Sequence, residues 1–218
     1  KYEFAGRIIY LDYNKPIGPE IFTLQPPADV LRVDETTEVI GMAKGNLSDK
    51  EIAVKVVREF FEALSRRYGH DLLASETAHR SEHSIEFQAV MLRRLLGSRP
   101  FTVLPVLASF LHEAVGAGGE PEADQRVPRF LDALGETIAA SGRRVCVIAG
   151  VDLAHVGPRF GDAESNTPAV LDRVAREDRK MLEAVTASDP AAFFASVAAD
   201  GDSRRICGFS PIYAFLRA

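Results

Sequence analysis

Residues 144–159, Arg-Val-Cys-Val-Ile-Ala-Gly-Val-Asp-Leu-Ala-His-Val-Gly-Pro-Arg, constrain the fold more than any other stretch. Val145 to Ala149 is a short, near-continuous apolar run, the pattern of a strand buried on both faces of a parallel sheet. It breaks into Gly150-Val151-Asp152, with His155 three residues on. A carboxylate and an imidazole are thus expected to leave the carboxyl end of a buried strand together, where open α/β sheets bind ligands. Gly157 and Pro158 exclude a long helix directly after, so the pair belongs on a tight loop, or one helical turn, at the rim of a cleft. The local alternative is that Asp152 caps a turn and His155 bonds a backbone carbonyl.

A second buried strand is expected at Phe101–Ala108, whose internal Pro105 suggests an edge position or a strand end. Between the two lies an amphipathic helix, Val127 to Ala140, closed by Ser141-Gly142. Strand, helix and strand in one sheet require a right-handed crossover. The fold class expected is therefore α/β, a mostly parallel sheet flanked by helices. Residues 1–47 differ in texture. Short apolar runs at 7–11, 21–24, 29–33 and 38–42 are separated by Pro and Gly, which predicts a β-rich N-terminal segment ahead of a domain spanning 48–218.

Helical patterns fill most of the remainder. Ser48 or Asp49 is a plausible N-cap for a helix carrying Ile52, Val56, Phe60, Ala63 and Leu64 on one side, ended by Gly69. Ile85, Val90, Leu92, Leu95 and Leu96 predict the buried side of a helix capped by Ser81 or Ser84, with His83 and Glu86 on adjacent turns of one face. Thr167-Pro168 opens a long helix whose Arg173, Arg176, Glu177, Asp178, Arg179 and Lys180 are read as its solvated face. Ser188-Asp-Pro190 opens another, and Ser210-Pro211 a last one.

The net charge of −5 argues against a nucleic-acid surface, and no apolar run is long enough to span a membrane. Two cysteines are too few for a disulfide framework, and a reduced, cytoplasmic setting is expected. Cys146 lies within the first apolar run and reads as a small core residue. Cys207 precedes Gly208, where the backbone can approach a neighbour closely, and a helix start, which can lower a thiol's pKa. The chain opens on Lys1 rather than Met and reads as part of a longer protein. His70, His79 and His112 are read as surface residues. His83, Asp152, His155 and Cys207 are the remaining polar outliers, of types that bind transition metals, though no two have a local metal-finger spacing.

Three motifs occur in order: Glu82-His-Ser-Ile-Glu-Phe-Gln88, Asp152-Leu-Ala-His-Val-Gly-Pro-Arg-Phe160 and Ile206-Cys-Gly-Phe-Ser-Pro-Ile212. Together they resemble the Memo-like family, whose bacterial members are called AmmeMemoRadiSam system protein B. The resemblance runs from about residue 60 to 218. It implies a fold similar to class III extradiol dioxygenases and a cleft where His83, Asp152, His155 and Cys207 converge. It also implies a non-haem Fe(II) or copper site with His83 and Cys207 as metal ligands. His155, oriented by Asp152, would move protons in an oxidoreductase-like reaction. A small molecule or peptide would occupy the cleft, and the family name suggests a radical-SAM protein partner. The Pro-His and Ser-His pairs of the family have no counterpart in residues 1–59, which contain no His. Asp152 or His155 would then complete the metal shell. The competing expectation is a non-catalytic binding or scaffold protein with a vestigial metal site. A third is a thiol-dependent enzyme using Cys207 with His155 as base.

Overall fold

The computed structural model describes residues 49–80 and 82–218. Seven α-helices occur among them: α1 (Asp49–Tyr68), α2 (Ser84–Leu96), α3 (Leu111–Gly116), α4 (Arg126–Ala140), α5 (Pro168–Thr186), α6 (Pro190–Ala198) and α7 (Phe209–Arg217). Short 3-10 turns cover Glu76–Arg80 and Pro158–Phe160. The expected β-rich segment, residues 1–47, lies outside the described residues.

The helix boundaries follow local chemistry. The Thr167 hydroxyl accepts from the Val170 amide, and Pro168 fills the first helical position of α5, where its missing N–H costs nothing. Asp189 and Pro190 repeat the device at α6, with the Asp189 carboxylate accepting from the Ala192 amide at 2.9 Å. Gly69 closes α1 at a φ of +73°, a conformation only glycine adopts cheaply. At α2, of the two expected caps, Ser81 lies outside the described residues and Ser84 is not the cap. Glu82 accepts from the amides of His83 and Ser84, at 2.8 and 2.7 Å. Ser84 is already inside the helix.

α5 packs on α6, α6 on α7, and α7 on α3 and α4, while α1 lies along α4. Between them sits an apolar core including Leu111, Leu131, Met181, Phe193, Ile206 and Phe209. Each such side chain contributes about 1.5–3 kcal/mol by leaving water. Ser210 ties α7 to α3: its buried Oγ accepts from the amides of Phe110 and Leu111, at 2.9 and 3.0 Å.

The expected mostly parallel α/β sheet is not what the described residues form. They contain no strand, and Phe101–Ala108 and Val145–Ala149 are irregular. Val145 is 42% and Ile148 47% exposed, and Cys146 is exposed rather than a core residue. The class III extradiol dioxygenase-like sheet and its strand–helix–strand crossover are corrected accordingly. An apolar run records a preference for burial. A strand also needs a partner ladder, and that pairing is non-local information the run does not carry. No helix among the described residues is long and apolar enough to cross a membrane.

Candidate functional site

The motif residues lie on three segments. Asp152 and His155 occupy an irregular loop that Arg204 to Gly208 holds in place. The His155 amide donates to the Arg204 carbonyl at 2.7 Å, and the Gly208 amide donates to the Asp152 carbonyl at 3.1 Å. The Cys207 thiol donates to the same Asp152 carbonyl at 3.4 Å. Gly208 is glycine because the loop comes so close: a Cβ there would stand 2.7 Å from the Asp152 oxygen and from the Val151 side chain. That meets the expectation that the backbone approaches a neighbour at this point.

His155 is half-buried, with its ring edge-on to Phe160 at 4.8 Å. Its Nδ1 lies 2.9 Å from the Leu153 carbonyl, so the orienting partner is a backbone oxygen rather than the Asp152 carboxylate. This is the local alternative read from the sequence. A carbonyl can only accept, which puts the proton on Nδ1 and leaves Nε2 of the neutral ring as an acceptor.

Two ion pairs fix the loop from outside. Arg204 and Asp178 meet at 2.6 Å with side chains 4% and 7% exposed. Asp178 is therefore buried inward from α5, not part of its solvated face. Burial pushes its carboxyl up, with Arg204 opposing. Nε and Nη2 of Arg204 are buried without hydrogen-bond partners, although the Asp200 carboxylate lies 3.7 Å from Nε. Next along, Arg205 donates to Asp162 at 2.8 Å, and Asp162 accepts from the Gly157 amide at 2.6 Å. The Arg205 bond, followed by that amide, holds the Asp162 carboxyl below the usual range. Neither pair was evident in the sequence; the Arg204-Arg205 doublet beside the Cys207 motif was the available signal.

Cys207 is exposed, yet partial burial of its sulfur raises the thiol's pKa against the opposing Asp152 carbonyl contact. The charges of Asp152 and Glu82 raise it further. Charges from the first and second motifs thus both reach the thiol of the third. Glu82 itself is held low, chiefly by the Ser84 amide it caps. His83 is exposed at the start of α2, with Nδ1 3.8 Å from the Glu86 carboxylate. His112, read as a surface residue, pairs with the buried Asp202 at 3.2 Å.

A non-haem iron or copper centre requires three or more donors converging on one point. No group of three His, Cys, Asp or Glu placed to hold a metal occurs among the described residues. The thiol's raised pKa also disfavours the thiolate a metal binds. The donors described here do not fit such a centre.

A family profile described as Memo-like protein matches residues 52–218. A MEMO1 family protein of Methanopyrus kandleri is 31% identical over 169 residues, 76% of this chain and 49% of that protein. A MEMO1 family protein of Aquifex aeolicus is 28% identical over 120 residues, 55% of this chain and 28% of the relative. A protein memo-1 homolog of Caenorhabditis elegans is 29% identical over 142 residues, 63% of this chain and 36% of its own length. The chain thus spans about half, or less, of each of these relatives. No solved structure matches it significantly. With three motifs in order and a family match covering residues 52–218, the chain belongs to the Memo-like family.

Proposed function

We propose that this chain is a ligand-recognition protein of its family, and that its motif surface takes a cationic or hydrogen-bond-donating group of a small molecule or peptide. The observation that carries this reading is that backbone contacts hold the Asp152–His155 loop against the Cys207 segment, where the charges of Asp152 and Glu82 also help to push the thiol up. The Nε2 of His155 adds a further acceptor, since Nδ1 is taken by Leu153. A surface of carboxylates and an imidazole lone pair complements an ammonium or amide group.

Cys207 supplies its own probe. In a Cys146→Ser background, a cationic methanethiosulfonate is expected to react with Cys207 faster than an anionic one by about tenfold, since the charges of two carboxylates reach the thiol. Glu82→Gln and Asp152→Asn each reduce that ratio. Equal rates for the two reagents overturn the reading.

The second reading is a metal-dependent oxidoreductase, favoured only by His155 and Cys207 standing on two segments that backbone contacts hold together. Anaerobic equilibrium dialysis against Fe(II) and against copper separates the two. Recognition without metal leaves the protein metal-poor. Stoichiometric uptake that is lost in both His83→Ala and Cys207→Ala supports the metal reading instead.

A further inference from the structure

The outer face of α2 is apolar and open. Phe87 is 67%, Val90 66%, Met91 49% and Leu95 48% exposed. At 3.6 residues per turn these four fall on one stripe, together with Arg94. The opposite face, Ile85, Leu92 and Leu96, is half-buried against the protein. Gln88 lies over Gly150, and the Arg93 guanidinium sits 4.8 Å from the Phe101 ring. α2 is therefore seated, and its stripe faces away. Val90 and Leu95, expected on the buried side, belong to that stripe. No other helix packs extensively on α2 among the described residues. A stripe of four large apolar side chains is unusual on a monomer's surface and marks an interaction site.

We propose that the stripe is an isologous interface with a second copy of this chain, formed by two α2 helices crossing antiparallel about a twofold axis. The charge pattern along the helix selects this occupant. Glu86 sits near the start of α2 and Arg94 near its end, on the edge and within the stripe respectively. A twofold axis between Val90 and Met91 sets Val90 level with Met91 of the partner subunit, and the reverse. It also brings Glu86 to the level of Arg94 of the partner subunit, within about one residue's rise, and the reverse. A self-complementary stripe with opposite charges at its two ends is what an isologous contact needs, and a parallel arrangement would oppose like charges. The exposed Val103, Val106, Val145 and Ile148 lie on the two segments that α2 touches. The interface also reaches the first motif, because Glu86 is the carboxylate nearest the His83 imidazole.

The test is the mass of the full 218-residue chain by sedimentation or light scattering over a dilution series. The expected result is twice 23.8 kDa, falling to one copy on dilution. Val90→Glu gives a monomer with unchanged helical circular dichroism, since Val90 is solvent-exposed in one copy. Glu86→Arg raises the dimer dissociation constant by about tenfold or more, and Glu86→Arg combined with Arg94→Glu restores it. Three results overturn the proposal. One is a 23.8 kDa species at every concentration, as when residues 1–48 or an unrelated protein cover the stripe. Another is a dimer indifferent to Val90→Glu. The last is a charge reversal that fails to rescue.

Discussion

Breaking the Arg204–Asp178 pair from either side should have unequal consequences. Both side chains are buried, and they meet at 2.6 Å. Asp178→Ala leaves a guanidinium that cannot lose its proton, with two donors already unpartnered and a third newly so. Removing one partner of a buried pair costs about 3–5 kcal/mol. For a chain of this size that lowers Tm by roughly 10 °C. Arg204→Met strands the carboxyl instead, and a carboxyl can take up a proton. Burial already pushes Asp178 up with the guanidinium opposing, so removing Arg204 raises it further. In that variant the folded state binds the proton more readily than the unfolded chain. Its stability therefore rises as pH falls through the raised value, and the lower end of that window is the ordinary carboxylate range. The double variant, Asp178→Leu with Arg204→Met, removes both charges and is expected near wild type. Urea unfolding followed by far-UV circular dichroism, at neutral and mildly acid pH, reads all three. If Asp178→Ala costs less than about 1 kcal/mol, or the double variant is no better than the worse single one, the reasoning fails.

Two further outcomes concern titration. Burial, then the Glu122 carboxylate that accepts its hydrogen bond, pushes the Tyr213 hydroxyl up to about 12. Phenolate absorbance should show Tyr213 ionising late, and Glu122→Gln should bring it down towards the ordinary value near 10. Asp162 is held low by Arg205 and the Gly157 amide, so its contribution is present above the ordinary carboxylate value of 3.8. That contribution is lost as pH falls through the depressed folded value. The carboxyl chemical shift of Asp162 should titrate below 3.8 in the parent and return towards it in Arg205→Met.

Helices were legible in this sequence because their evidence is local. Thr167-Pro168, Asp189-Pro190 and Gly69 each mark a boundary with a bond or a backbone angle that the structure contains. The apolar side of α1, from Ile52 to Leu64, is indeed its inner side. Facing was less legible where a helix is apolar nearly all round. In α2 the pattern offers two apolar stripes, and only tertiary context decides that Leu92 turns inward and Val90 outward. The strands were misread for a related reason: Val145 to Ala149 signals burial, and the partner that would make it a strand is not encoded nearby. At the site, backbone contacts hold the segments of the second and third motifs together. The carbonyl that orients His155 and the buried carboxylate that anchors Arg204 were invisible, because backbone acceptors and cross-chain ion pairs leave no spacing to read.

The Asp152 carbonyl that receives both the Gly208 amide and the Cys207 thiol has a dynamic consequence. Local opening cannot release one motif and spare the other, since either departure uncovers the same oxygen. The His155 amide is bound in turn to Arg204, whose side chain is moored to α5. The second and third motifs therefore breathe as one cooperative unit with the helical core, and a ligand resting on them would meet a surface that yields all at once or stays shut.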